Sequence, residues 1–389
     1  MSQKPVVLVS TTHYLPGFRA GGPIKSMQAI VEQLGSEFDF RIVTEDRDLK
    51  VDQPYEGIEQ NRWNPGDGCS IFYRSPEGPP LQGILSQVEY DLLYINSFFS
   101  PVFSVSALRA HRDLGKKAPV LIAPRGEFQT DALAQKRMRK KVYLSVTKSL
   151  GWYRDVMWHA ASEQEKSEII RVWGSSARIF TALDAMPAIV EESLPDWCPR
   201  QPEEPFRVVF LGRIAPVKNL LGAIEAFSRL SCPATMTVYG PEEDLEYAKA
   251  CRDAASRLTS HLKVEFAGII APDRVLQSLV EHQAMLFPST GESFGHVIGE
   301  GLLAGLPVVI SDRTPWNWVQ NEKAGFVFPL EDTTGMSAAL TQLSKLSPDR
   351  FEELRHHCRT TGIASMTNAT GIADTKQMFL EILKDLVKG

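Results

Sequence analysis

Ala284-Met285-Leu286-Phe287-Pro288-Ser289-Thr290-Gly291-Glu292-Ser293-Phe294-Gly295-His296-Val297-Ile298-Gly299-Glu300, continuing through Gly301-Leu302-Leu303-Ala304-Gly305-Leu306-Pro307, is the stretch around which the chain is read. Its apolar start, Ala284 to Pro288, reads as a strand. A helix starting near Phe294 and ending at Gly305 accounts for the rest of the spacing, with glycine as its stop signal. A strand leading through a short polar loop into a helix is the repeating step of a doubly wound sheet. The start of such a helix carries unpaired amides and the positive end of its dipole, which attract an anion such as phosphate. Gly295 lets a ligand approach the backbone closely.

Glu292 and Glu300 are eight positions apart, ~12 Å at the helical rise and more if the start is extended. A hydrolytic carboxylate pair needs roughly 5 to 9.5 Å around one glycosidic bond. The two therefore suit hydroxyls at opposite ends of a long ligand, and a nucleotide sugar has that length. Alone, an E-x7-E pattern is usually a pair of solvated carboxylates. A second signal upstream, Phe210-Leu211-Gly212-Arg213-Ile214-Ala215-Pro216-Val217-Lys218-Asn219, follows the first strand of the same half. Gly212 permits a tight exit from that strand, and Arg213 and Lys218 bring two cations to the carboxyl edge of the sheet. Arg suits bidentate contacts and Lys a point charge, so the pair fits a pyrophosphate leaving group.

Working outward, short β-branched runs alternate with helical patterns over most of the 389 residues. Strands are expected near Val6–Val9, Phe38–Val43, Asp91–Ile95, Val120–Ile122 and Val156–His159, with helices over Pro23–Leu34 and Asp131–Leu150. From Pro187 to Pro205 periodicity lapses and prolines gather, as at a domain connection. The alternation then restarts at Arg207–Leu211 and continues through Met236–Tyr239, Val264–Ala267, Ala284–Pro288 and Pro307–Ser311. Helical patterns within Thr333–Leu346, Pro348–Thr360 and Asp374–Val387 close the chain. The expected division is an N-terminal Rossmann-like domain over 1–190 and a linker over 191–205. A C-terminal Rossmann-like domain over 206–365 and a final helix over 366–389, packing back on the first domain, complete it.

Composition agrees with a folded chain: 43% apolar and 23% charged residues. Forty-two Lys and Arg against 47 Asp and Glu give a net charge of −5, which argues against nucleic acid as partner. Five scattered cysteines without metal-ligand spacing, and no run of ~18 apolar residues, suggest a cytoplasmic chain without structural zinc.

Taken together, G-R-x4-K at Gly212, Arg213 and Lys218, E-x-F-G-x4-E from Glu292 to Glu300, and A-G-L-P-V-V at Ala304 to Val309 resemble the retaining glycosyltransferases of family 4. The run E-S-F-G-H-V-I-G-E, with I-S-D-R-T-P-W at Ile310 to Trp316, is similar to a subgroup common among bacterial cell-surface polysaccharide enzymes. Tyr239-Gly240-Pro241-Glu242 and Phe266-Ala267-Gly268 fall where family members end successive strands. In the first half, the Pro16 to Pro23 loop with Gly21 and Gly22 resembles the family's glycine loop near the donor, and Ala123-Pro124-Arg125-Gly126-Glu127 resembles another family segment. Two departures stand out. Ala182-Leu183-Asp184 replaces the frequent Asn-Gly at the domain junction, and a Pro-Arg-Gly run replaces the acceptor-loop His of many members.

The resemblance implies the GT-B architecture, two Rossmann-like doubly wound parallel-sheet domains facing a central cleft. It implies metal-independent transfer of a sugar, in the hexosyltransferase class, from a UDP or GDP donor to a hydroxyl of a glycan or lipid-linked acceptor in bacterial polysaccharide or lipopolysaccharide synthesis. Under it, Glu300 holds the ribose hydroxyls and Glu292 the donor sugar. Phe294 and Gly295 offer amides to the sugar, Arg213 and Lys218 stabilise the departing diphosphate, and Gly21, Gly22, Gly212, Gly268 and Ser293 complete the donor site. His13, Arg125, Glu127 and His296 are candidate acceptor or donor-sugar contacts. No cofactor is implied. A sugar-nucleotide epimerase of the same architecture and a non-enzymatic nucleotide-sugar-binding protein are the competing readings.

Two further features invite function. Asp46-Arg47-Asp48 spells the D-x-D by which another glycosyltransferase fold holds a divalent metal, although a polar loop after the second strand explains it as well. The basic run beginning at Lys136 and reaching Lys148 could set a helix against anionic lipid, or be a solvated face.

Overall fold

The chain divides into two units, Met1–Pro187 with Ala369–Gly389, and Ala188–Asn368. The structure, a computed structural model, describes residues 4–134, 137–187, 191–197, 203–367 and 370–388. Lys136 and the middle of the expected linker, 198–202, lie outside the described residues.

In the first unit eight strands form one sheet: β1 (Val6–Thr11), β2 (Asp39–Glu45), β3 (Trp63–Gly66), β4 (Cys69–Arg74), β5 (Leu92–Asn96), β6 (Val120–Ala123), β7 (Met157–Ala160) and β8 (Arg178–Thr181). Their order is β3-β4-β2-β1-β5-β6-β7-β8, parallel except where β3 pairs with β4. β5, β6 and β7 are buried at every position, because helices cover both faces of a parallel sheet and near-continuous apolar runs result. The helix Gly371–Lys388 belongs to this unit, with Phe379 edge-on to Phe38 at 5.6 Å and to Tyr94 at 5.7 Å.

The second unit holds β9 (Phe206–Leu211), β10 (Ala234–Tyr239), β11 (Leu262–Gly268), β12 (Ala284–Phe287), β13 (Val308–Ser311) and β14 (Gly325–Phe328). All pair in parallel, in the order β11-β10-β9-β12-β13-β14. In both sheets the order reverses beside the first strand, between β1 and β5 and between β9 and β12. Loops leaving the carboxyl ends of those strands diverge there and leave a crevice that can take a ligand.

Several boundaries differ from expectation. β3, β4, β8 and β14 are additional strands, and three of them are sheet edges. The expected helix Asp131–Leu150 is described as Thr130–Ala134 and Arg137–Ser149, and the helix expected to end at Thr360 continues to Thr367. The helix after β12 runs His296–Leu303 rather than Phe294–Gly305. Gly295, at φ 87°, and Gly305, at φ 72°, are left-handed and close it at both ends. Among the described residues no helix is long and apolar enough to cross a membrane.

Candidate active site

The second unit's switch point brings Lys218 and Glu292 together. Leaving β9, the Gly212 amide donates to the Tyr239 carbonyl at 2.9 Å, and Gly240 follows at φ 147°. A Cβ on Gly240 would lie 1.9 Å from the Gly212 carbonyl oxygen, so this strand exit requires glycine. Beyond it Arg213 pairs with Glu243 from the loop after β10. Lys218 ends the short turn Pro216–Lys218, and left-handed Asn219 caps the next helix by accepting from the Gly222 amide at 3.2 Å.

From the other side of the crevice, β12 delivers Ser289 to Glu292. The Thr290 amide donates to the Val217 carbonyl at 2.8 Å, fastening this loop to the one that carries Lys218. The Lys218 ammonium then donates to both Glu292 carboxylate oxygens, at 2.6 and 2.8 Å, and lies 5.6 Å from the Phe287 ring centre. Ser289, fully buried, donates to the same carboxylate at 2.6 Å. Residues 74 apart in sequence thus form one buried ion pair.

Next, Gly295 caps the helix His296–Leu303 without a side-chain cap hydrogen bond. Trp316 donates from its indole to the Phe294 carbonyl at 2.6 Å, and its ring meets Phe294 edge-on at 5.6 Å. That contact fixes the backbone at Phe294 and Gly295. His296 is buried with its ring 4.9 Å from that of Phe294, while Ser293 and Glu300 are half-buried. Gly268 lies further along the same edge, where its carbonyl accepts from the Gly240 amide at 2.8 Å.

In the first unit, the loop after β1 reaches left-handed Gly21, which caps the helix beginning at Gly22. Asp48 holds that loop. Its buried carboxylate accepts from the Phe18 amide at 2.9 Å and the Arg19 amide at 3.1 Å. Asp46, fully buried, accepts from Arg47 at 2.8 Å and from Gln60 at 2.6 Å. Asp48 is therefore a clamp on the glycine loop, while Asp46 is engaged by Arg47 and Gln60. His13 sits 3.9 Å from Glu45, and burial lowers its pKa from the ordinary value.

Arg125 and Glu127 turn inward. Left-handed Arg125 (φ 53°) sends its guanidinium into the unit, where it pairs with Asp184 and donates to Asn96 at 2.6 Å and to the Tyr94 hydroxyl at 2.7 Å. Desolvation opposes its charge, yet Asp184 holds its pKa above the usual range. Glu127 accepts from the Phe98 and Phe99 amides at 2.5 and 2.9 Å, shaping the loop after β5; burial raises its pKa. The side chains of both residues serve the scaffold. Ser289 and Trp316 stand inside the quoted stretches without a role assigned to them, and Asp48 is weighed there only as part of the D-x-D string.

Comparison with known proteins gives this geometry a context. Residues 205–345 match the family profile described as glycosyl transferases group 1. A curated relative, the O-antigen chain mannosyltransferase B of Escherichia coli, is 26% identical over 240 residues, 57% of this chain and 56% of that protein. The chain thus matches about half the length of its curated relative. Among solved structures, sucrose-phosphate synthase from Thermosynechococcus elongatus superposes with a TM-score of 0.72 at 15% identity, covering 98% of this chain and 100% of that one. Anabaena HepE, solved with UDP and glucose, gives 0.69 at 16% identity, covering 98% and 100%. Residues 205–345 match the group 1 glycosyltransferase family model, and the chain shares the two-domain GT-B fold of these solved structures.

Proposed function

We propose that this chain is a retaining hexosyltransferase that moves a sugar from a nucleoside diphosphate donor to a hydroxyl of a glycan or lipid-linked acceptor, in bacterial polysaccharide or lipopolysaccharide synthesis. The observation that carries this reading is the meeting of Lys218 and Glu292 at the switch point of a group 1 domain. There a phosphate-seeking cation and a hydroxyl-seeking carboxylate lie within one hydrogen bond. HepE holds UDP and glucose, which supports a nucleotide sugar, UDP- or GDP-linked, as donor. The O-antigen mannosyltransferase supports a polysaccharide product.

In this reading Arg213 and Lys218 take the diphosphate, aided by the positive end of the helix starting at His296. Glu300 takes the ribose hydroxyls and Glu292 the donor sugar, while the Phe294 and Gly295 amides orient that sugar. The acceptor oxygen bonds to the anomeric carbon on the face the diphosphate leaves, so configuration is retained. The breaking bond's electron pair passes to the departing phosphate oxygen, which takes the acceptor proton. Fixed cations supply the charge stabilisation and no metal ion is required, a reading supported by Asp48 being engaged by the glycine-loop amides and Asp46 by Arg47 and Gln60.

A thermal-shift series with UDP, GDP and their hexoses tests the donor site. One nucleotide class should stabilise the protein increasingly with concentration, and Lys218→Ala and Glu300→Ala should each suppress that shift. Unchanged shifts in both variants would sink the site. Incubation with donor alone separates transfer from epimerisation: an epimerised donor sugar would overturn the transferase reading.

A further inference from the structure

The helix Arg137–Ser149 carries an exposed apolar stripe. Met138, Val142, Val146 and the following residue Leu150 are 72%, 57%, 50% and 69% exposed, and they account for four of the eight large exposed apolar side chains among the described residues. Their spacing of four sets them along one face, spanning an arc of about 120° at ~100° per residue. The opposite face is anchored. Tyr143 meets Tyr153 through their hydroxyls, its ring lies 5.8 Å from Phe98, and Thr147 is buried. Lys140 bends inward to the Ala132 carbonyl at 2.6 Å, its ammonium 4.7 Å from the Phe99 ring centre. Packing on that aromatic cluster therefore fixes the apolar stripe outward.

The same helix holds five cations and no acid, in a chain whose net charge is −5. Arg137, Lys141 and Lys148 project along one border of the stripe, and Arg139 rises beside its other end. An apolar stripe bordered by cations matches a helix lying in the headgroup region, with its hydrocarbon face among acyl chains and its cations at anionic lipid. A second copy of the chain fits worse. A symmetric pair would set the same patch against itself and bring ten like charges together, which costs where a membrane gains.

We propose that the face made by Met138, Val142, Val146 and Leu150 docks this protein on an anionic phospholipid bilayer, with the surrounding Arg and Lys side chains at the headgroups. Flotation reads lipid contact without turnover, so the proposal stands apart from the transferase reading. The full chain is floated with phosphatidylcholine vesicles and with vesicles containing ~30% phosphatidylglycerol, beside Val142→Asp/Val146→Asp and Lys141→Glu/Lys148→Glu variants. The altered side chains are exposed, and unchanged circular dichroism checks folding. The wild type should float with the anionic vesicles and not the neutral ones, and each variant should bind roughly tenfold more weakly or worse. Absence of anionic binding by the wild type, or equal binding by the aspartate variant, would overturn the proposal. So would a wild-type dimer that the aspartate variant dissociates while vesicle binding is unaffected.

Discussion

Lys218 donates to both carboxylate oxygens of Glu292, at 2.6 and 2.8 Å, with only 15% and 9% of the two side chains exposed. Their loops leave neighbouring strands at the reversal of strand order, so the pair closes the crevice from both sides. Removing one partner leaves the other charge buried and uncompensated. Lys218→Ala should therefore destabilise the protein by about 3 kcal/mol, whereas Glu292→Gln, which keeps an acceptor for Ser289, should cost less. In urea unfolding the double variant should be more stable than the summed losses predict, by ~1 kcal/mol or more. Simple additivity would mean that the pair does not hold the loops.

Arg213 offers the contrasting case. It and Glu243 are 32% and 33% exposed, so their ion pair lies in the high-dielectric rim of the site. Such pairs contribute about 0 to 1 kcal/mol. Arg213→Ala should leave the melting temperature nearly unchanged while sharply weakening nucleoside diphosphate binding in titration calorimetry. Glu243→Gln should leave binding intact or tighten it, because the guanidinium is released toward phosphate. Equal losses in the two variants would show that Arg213 serves Glu243 rather than the ligand.

How far the sequence discloses these arrangements depends on where the determining contacts lie. β9 and β12, buried throughout their last three positions, announce themselves as apolar runs. β3, Trp63-Asn64-Pro65-Gly66, does not, because an antiparallel edge strand tolerates proline and leaves one side of its backbone unpaired. The Lys218–Glu292 pair is foreshadowed by two motifs that each end a strand, although their direct contact depends on β9 pairing with β12. The inward turn of Arg125 has a local cause. Its left-handed backbone, followed by Gly126 at φ 80°, turns the guanidinium to Asp184 rather than outward, and nothing in Pro-Arg-Gly specifies that turn. Trp316 acts through an indole bond to the Phe294 carbonyl, a contact no short motif encodes.

Asp48 carries the next prediction. Its carboxylate accepts three backbone amides, from Phe18, Arg19 and Leu49, the last at 2.7 Å. Asp48→Ala strands those donors and should cost ~1 to 3 kcal/mol. Because Gly21 lies two residues beyond Arg19, donor affinity should fall with it. Chelator treatment of the wild type should leave activity intact. If EDTA abolishes turnover and a divalent ion restores it, Asp46 and Asp48 are ligands and the clamp is incidental.

The cluster behind Arg125 gives a pH dependence with two opposing signs. Burial, then the charge of Arg125, holds the His159 imidazole down to about 4, while Tyr94 meets its Nδ1 at 2.8 Å and the Ala182 carbonyl its Nε2 at 2.8 Å. A histidine kept neutral in the fold contributes stability above its unfolded value near 6.5, and loses it as pH falls from ~6.5 toward 4. Glu165 runs the other way. Burial raises it to about 7 against the amides of Gly126 and Ala161, which donate at 2.6 and 2.7 Å. Its contribution is complete below its unfolded value, ~4.5, and is lost as pH rises through 7. Between those limits the two slopes partly cancel, with His111, also held near 4 by burial, adding to the histidine side. Glu165→Gln should therefore steepen the fall in melting temperature between pH 6.5 and 4.5, and His159→Gln should flatten it, each by an amount on the order of 1 to 3 kcal/mol. Melting curves in a buffer series measure both slopes. Parallel curves for wild type and His159→Gln would show that the imidazole does not titrate with unfolding.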